Sequence, residues 1–244
     1  MKNWKTYTYL IITYLLMHVG SIFLSKYLFE SFPWDASFTK TDKIYRASAW
    51  ALFSTNAVAA IVFFFIIYPK KKFFQVFKGK KVSVGKAIIW GFFGFLLALA
   101  GQIIAGSIES AFGVKPGSEN TALLADIAKV SPIIIFSIVL FAPLLEEIIF
   151  RRVLFGGLYQ KTNFIVAAVL SALVFAAVHG ELQHILIYSA PALVFSFIYY
   201  KTKRLLAPIT AHLLMNGFVT ILQLYQERLL KWAELKTAFS FFIN

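Results

Sequence analysis

The chain has no cysteine among its 244 residues, and that absence removes a disulfide framework, thiol nucleophiles and thiolate metal sites together. Acids are scarce as well: 11 Asp and Glu stand against 24 Lys and Arg, for a net charge of +13. The hydrophobic runs lack strict alternation and are too long for the roughly ten-residue strands of an outer-membrane barrel. No internal repeat, low-complexity tract or interdomain linker is visible, and the HExxH spacing of helical zinc sites is absent. Despite the basic balance, nucleic acid is excluded as a partner. The Lys and Arg residues sit in short connections, and no stretch carries stacking or groove-reading elements.

What the chain has in abundance is apolar surface: 59% hydrophobic and 18% aromatic residues against 14% charged, with a mean hydropathy of +0.75. That is the composition of an integral membrane protein. A hydrocarbon core about 30 Å thick takes roughly 20 apolar residues per helix, and apolar runs fall near 7–25, 48–68, 87–108, 131–150, 164–180, 183–200 and 205–225. The expected fold is therefore all-α, a polytopic transmembrane helical bundle of about seven to eight spans. Three spans occupy residues 1–129, a four-span core occupies 130–225, and 226–244 reads as an interfacial tail. The first run opens with Lys2 and Lys5 like a signal peptide, but it is long, rich in Tyr and without a small-residue cleavage site, so it reads as a retained helix. Seven lysines between Lys70 and Lys86, with no acid among them, belong in the cytoplasm against anionic lipid. This places the N-terminus, the 151–163 turn and the turn holding Lys201, Lys203 and Arg204 in the cytoplasm as well, in what the composition suggests is a bacterial plasma membrane.

Charge inside such a chain needs a reason, since an ionisable side chain within a span costs on the order of 3 kcal/mol on insertion scales. The first three spans offer little of it: His18 reads as packing, and Asn56 and Gln102 as helix-bridging amides. Segment 109–126, with Pro116, Gly117, Ser118 and Asn120, reads as an extracytoplasmic turn leading into a new helix. Beyond it, Glu146 and Glu147 precede Arg151 and Arg152 in "FAPLLEEIIFRRVLFG". Glu147 and Arg151 are four apart in the acid-first order, so they share a helix face and are expected to neutralise one another as a buried, hydrogen-bonded pair. Adjacent residues point about 100° apart, which turns Glu146 toward a different neighbour.

Phe175 and His179 are spaced in the same way on the next helix. Glu146 and His179 lie 15 and 16 residues from the polar turn at 161–163, roughly 22 to 24 Å at the α-helical rise, so an antiparallel hairpin sets them level. Pro143 and the Gly156–Gly157 pair make that register good only to a helical turn. His212 and Asn216 are again four apart on the last span, with His212 about 12 Å into its helix and thus shallower than Glu146. A 151–163 turn protruding into the cytoplasm would reconcile the depths. His184 reads as solvated or interfacial, and Pro191 as a kink.

Taken singly, each pair has a plain structural explanation: a histidine bridging helices, an ion pair, an amide joining two spans. Their confinement to the three spans in which they can meet favours a site. Desolvation strengthens a carboxylate as a base, which suits a general base acting on water. A neighbouring histidine can hand the proton to a leaving amine, while a second histidine and an amide donate to the oxyanion of a tetrahedral intermediate. Such a set hydrolyses an amide without serine or cysteine. Two other classes use similar parts. A non-catalytic adaptor or immunity protein would bind a partner in the same cavity without needing Glu146. A proton-coupled transporter would bury Glu, His and Arg, but normally with an internal repeat and broken helices in both halves.

With "EEIIFR" at 146–151, "FAAVH" at 175–179 and "HLLMN" at 212–216 in that order, the chain resembles the CPBP family of intramembrane proteases, also called type II CAAX-protease-like or Abi proteins. The resemblance covers residues 130–220 and rests on three ordered motifs, EExxxR, FxxxH and HxxxN. It implies an intramembrane endopeptidase acting on a membrane-associated peptide or protein. Glu146 and His179 would activate the attacking water, His212 and Asn216 would stabilise the oxyanion, and Glu147 and Arg151, with Phe175, would hold the site together. Many relatives follow the motif arginine with glycine where this chain has Arg152, and the glycine-rich region before the last span reads "SAPALVFSF" here; both leave the width of the substrate groove open. Members of the family are often called metalloproteases. Glu146, His179 and His212 would be the zinc set, although the glutamate–histidine mechanism requires no metal. The family includes proteins linked to maturation of prenylated proteins, to bacteriocin processing or self-immunity, and to cell-surface signalling.

Overall fold

The structure is a computed structural model that describes residues 4–243, with side-chain detail to Tyr225 and at Arg228. No strand occurs among the described residues. Helices α1 (Trp4–Ser31), α2 (Lys40–Ile67) and α3 (Val84–Ala111) each run 28 residues, about 42 Å. The short α4 (Glu119–Val130) is followed by a composite α5 over residues 134–159, then α6 (Phe164–Ala177), α7 (Ile185–Thr202) and α8 (Leu206–Ile243). Five helices are long and apolar enough to cross a membrane: α1, α2, α3, α7 with the turn before it, and the part of α8 up to Tyr225. The chain is an all-α membrane bundle. One of the seven expected spans differs from expectation: α6, at 14 residues, is too short to cross alone. The 131–150 run is carried from Ile134 onward by the composite α5, without a break in its helical turns. The backbone of the expected interfacial tail continues α8 as one helix to Ile243; apart from Arg228, its side chains lie outside the described residues.

Capping residues explain where the helices begin. Thr39 and Asp42 form a reciprocal capping box on α2, Ser118 accepts from Thr121 N at 3.0 Å on α4, and Asn163 accepts from Val166 N at 3.0 Å on α6. Helix α7 has no side-chain cap of its own. Glu109 supplies one from α3, its Oε1 accepting from Leu186 N at 2.8 Å and Ile187 N at 3.1 Å. Its other oxygen lies 2.9 Å from His184 Nδ1. This corrects two sequence expectations: α3 runs on through Glu109, which is buried rather than in a turn, and His184 is buried rather than solvated. A carboxylate at a helix N-terminus also complements its dipole.

The composite α5 alternates α and π turns, with π segments at Ser137–Phe141 and Glu147–Phe155. The first depends on Pro143. In a π turn the carbonyl of residue i accepts from residue i+5, and Ala142 N bonds Ser137 O in this way. The next such donor, for Ile138 O, would be Pro143, which has no N–H. The orphaned Ile138 carbonyl is taken instead by Asn216 Nδ2 of α8 at 2.9 Å. A proline on one helix thereby fixes the position of an amide on another.

Close approach of α3 to α7 and α8 needs small residues. A Cβ on Gly91 would lie 2.5 Å from Thr210 Cβ, and one on Gly94 would lie 2.6 Å from Ile198 Cδ1, so glycine lets the backbones meet. At the other end of the bundle, Arg152 is fully buried. It donates to the Phe73 carbonyl and, through Nη1, to Tyr7 Oη at 2.7 Å, with its guanidinium 4.3 Å from the Phe73 ring. It fastens the lysine-rich loop to α1 and α5. The turn expected over 151–163 shrinks accordingly, because α5 continues to Tyr159.

Candidate active site

Glu147 opens the second π segment and is buried with Arg151, its Oε2 3.2 Å from Arg151 Nε and both side chains at 0% exposure. The spacing predicts a hydrogen-bonded pair; the structure shows an ion pair not aligned for a hydrogen bond. The guanidinium instead rests on the Phe175 and Phe195 rings, at 4.8 and 5.3 Å, whose faces attract a cation. The hydrogen bond of Glu147 goes to His212, with Nδ1 2.9 Å from Oε1.

Glu146, expected to face a different neighbour, meets the other edge of the same imidazole, its Oε2 3.7 Å from His212 Nε2. A carboxylate only accepts, so His212 Nδ1 carries the hydrogen. His212 thus stands between the two carboxylates, with Nδ1 toward Glu147 and Nε2 toward Glu146. The expected difference in depth between Glu146 and His212 also disappears. Each π turn consumes an extra residue, so counting Glu147–Phe155 at the α-helical rise overestimates how far Glu146 lies from the turn. No protruding turn is needed.

His179 ends α6. Its own N–H bonds Ala176 O at 3.2 Å, and its ring Nδ1 takes the Phe175 carbonyl at 2.8 Å. The FxxxH spacing is thus a C-terminal cap in which the ring satisfies an orphan carbonyl. Since a carbonyl only accepts, Nδ1 holds the hydrogen and Nε2 is left free as a base. Gly180, at φ 78°, lets the chain turn sharply straight after this residue. The Tyr188 ring stacks on the imidazole, with centroids 4.1 Å apart. Tyr188 Oη in turn donates to Glu181 at 2.6 Å, and Glu181 also accepts from Ser118 Oγ at 2.7 Å and Asn120 N at 3.1 Å. Burial works against the charge of Glu181, but these bonds outweigh it and hold the carboxyl below its ordinary value.

Glu146, His179, His212 and Asn216 all line one cavity of about 400 Å³, with Phe175 beside them. Glu146 and His179 share it without forming an ion pair, so their expected pairing is one of position only. The first three helices contribute more than the packing expected of them. His18, edge-on to Tyr14 at 4.7 Å, stands on the cavity wall with Asn56 and Gln102. The available signal for those amides is their isolation in otherwise apolar spans. Among the described residues no three acid, histidine or cysteine side chains come together as a metal set, and His212 has its two nitrogens turned to Glu147 and Glu146. The alternative zinc set of Glu146, His179 and His212, which the sequence reading did not favour, is not assembled as a donor set among the described residues.

A helical membrane protein with acid, imidazole and amide groups converging on a cavity within its bundle is a definite class. A family model described as type II CAAX prenyl endopeptidase, Rce1-like, matches residues 128–218, the stretch that holds this cluster. The chain is 38% identical over 225 residues to YdiL of Bacillus subtilis (strain 168), named as a candidate membrane peptidase, covering 92% of this chain and 91% of that one. It is 37% identical over 182 residues to the membrane-embedded CAAX protease MroQ of Staphylococcus aureus (strain USA300), covering 72% of each. It is 28% identical to the UPF0177 protein YvdC of Lactococcus lactis over 67% of this chain and 66% of that one. The chain belongs to the Rce1-like family of type II CAAX prenyl endopeptidases. No solved structure matches it.

Proposed function

We propose that the protein is an intramembrane endopeptidase that cleaves a peptide bond of a membrane-associated peptide or protein. Water attacks the scissile carbonyl as Glu146 takes its proton, with Nε2 of His179 orienting the water. The tetrahedral oxyanion accepts from His212 Nε2–H and from the second amide hydrogen of Asn216. Collapse breaks the C–N bond, and the proton returns through His179 to the leaving amine. Glu147 stabilises the imidazolium of His212 and Arg151 balances Glu147, which matches the roles that the resemblance implies. The observation that carries this reading is the convergence of Glu146, His179, His212 and Asn216 on one cavity, with the buried Glu147–Arg151 pair behind His212. The names of two relatives, a membrane peptidase and a CAAX protease, support it. The mechanism uses no metal. The lysines at 70–86 favour a cytoplasmic N-terminus in a plasma membrane whose anionic lipids are partners.

The test compares purified wild type with Glu146→Gln at matched thermal stability on fluorogenic membrane peptides, with and without a chelator. Cleavage that is lost in Glu146→Gln and survives the chelator is the expected result. Cleavage lost to the chelator and restored by zinc would put the Glu146, His179 and His212 metal set back in place. Absence of cleavage by both proteins, with partner binding intact in both, would make this a non-catalytic adaptor or immunity protein.

A further inference from the structure

The charged cluster occupies only part of the cavity wall; the rest is mostly apolar, with amide and hydroxyl groups set among the apolar side chains. Asn56 of α2 is 5% exposed and Ser137 of α5 is 3% exposed, and both line the cavity. Ser137 Oγ has no hydrogen-bond partner, and the Asn56 side chain makes none among the described residues. Gln102 of α3 and Gln223 of α8 line the same cavity, also without a partner among the described residues. Buried polar groups are nearly always paired, because an unanswered one in a dry interior is costly. Asn56, on the wall of the cavity, is a group awaiting a ligand with matching atoms.

Their arrangement describes that ligand. On α8 the cavity-lining His212, Asn216, Thr220 and Gln223 recur at steps of four, four and three, which puts them in one stripe along a helix face. From His212 to Gln223 is 11 residues, about 16 Å of helix, or about five residues of extended chain. An extended main chain presents N–H and C=O groups in alternation, and amide side chains answer both, since each donates and accepts. A hydrocarbon chain laid along the stripe would leave Gln223, and Asn56 and Gln102 across from it, unpaired. Among the described residues no Lys or Arg lines the cavity, so nothing there is matched to a terminal carboxylate in the way a guanidinium would be.

We infer that the α8 stripe, faced by Asn56 and Gln102, is a subsite for the main chain of an extended, unprenylated peptide, held through its backbone rather than by a lipid group or a free terminus. This deepens the endopeptidase reading and rests on it for the position of the cut, which falls at the Glu146 and His212 end. It also gives α2 and α3 a function: they form the wall that pairs with the substrate backbone.

Binding and cleavage are tested separately. Full-length protein carrying Glu146→Gln, in nanodiscs, is titrated with a fluorescein-labelled, C-terminally amidated octapeptide of alanine and valine. Parallel titrations use the same peptide N-methylated at alternate backbone nitrogens, with a free carboxylate, or ending in farnesyl-cysteine. The amidated peptide should bind. N-methylation should weaken it about tenfold, and Asn56→Leu or Gln223→Leu on the same background about fivefold, the effect of losing one or two hydrogen bonds. The free carboxylate and the farnesyl group should add nothing. Thr220→Val, which keeps the side-chain shape on the α8 stripe, serves as a second probe should a leucine variant melt early. The subsite is overturned by failure of the octapeptide to bind saturably, by changes under twofold on N-methylation and in Asn56→Leu, or by a tenfold gain from farnesyl. Should the expected binding pattern hold while wild type cleaves no peptide, the subsite stands and the endopeptidase reading falls. Should wild type cleave with the same KM in Asn56→Leu, the subsite falls and the endopeptidase reading stands.

Discussion

The charged and the neutral groups of the cavity follow opposite rules. The ionisable cluster of α5, α6 and α8 is answered within the chain, Glu147 by Arg151 and His212 and His179 by the Phe175 carbonyl, whereas the neutral Ser137 and Gln223 on the same side have no hydrogen-bond partner among the described residues. On the α2 and α3 side, Asn56 and Gln102 line the same space with no partner among the described residues. The difference is one of charge. A carboxylate or guanidinium in a dry interior must be neutralised before any ligand arrives, whereas a neutral amide carries a smaller desolvation penalty and can wait for its partner.

The charged side is where the comparison breaks most sharply. Glu146→Gln should lower kcat on a cleaved peptide about 10²- to 10⁴-fold, the range for losing a general base. Its thermal midpoint should stay unchanged, because Glu146 has no partner closer than the 3.7 Å His212 contact; retention of most of kcat would remove Glu146 from the mechanism. Arg151→Leu strands Glu147 as a buried charge and should cost about 3–5 kcal/mol of stability, with part recovered when Glu147→Leu is added. Denaturant melts of the single and double variants read this directly, and equal loss in both would mean that packing over Phe175 and Phe195, not charge, carries the effect.

Away from the cavity the effects shrink. Glu109→Gln keeps the shape of the α7 cap but removes its charge, so about 1 kcal/mol should be lost with cleavage unaffected; a large loss of activity would show that α7 transmits its position to the site. The smallest change concerns Glu181 and has a sign in pH. Its carboxyl is held below the ordinary value by bonds from Tyr188, Ser118 and Asn120 that outweigh burial. Its anchoring of α4 is therefore complete above the unfolded-state value and is lost as the pH falls through the lowered folded-state value. Protection of α4 amides against hydrogen exchange, taken relative to the intrinsic rate at each pH, should fall on that acidification in wild type, and should already be lower at neutral pH in Glu181→Gln. Indistinguishable neutral-pH exchange in the two proteins would dismiss the anchor.

Much of this was legible in the residues alone. Long apolar runs announce membrane helices because lipid imposes length and composition locally, and the pairs at 147 and 151, 175 and 179, and 212 and 216 announce shared faces because helical spacing is local too. The reading fails where a group's environment comes from a distant segment. His184 cannot be known to be buried without Glu109, 75 positions away, and Arg152 cannot be known to be a strut without Phe73 and Tyr7.

The cavity is the clearest division. Composition and spacing already determined that this chain enters a membrane as helices, and which acids, histidines and amide share a helix face with a partner one turn away, since both follow from neighbours within a turn or two. Only the tertiary structure decided that Glu146 and Glu147 meet one imidazole, that Pro143 frees a carbonyl for Asn216, and that Asn56 and Gln102 face the same space. Those outcomes depend on which π turns form and which helix faces meet, and the pairings across tens of residues that settle them leave no local trace.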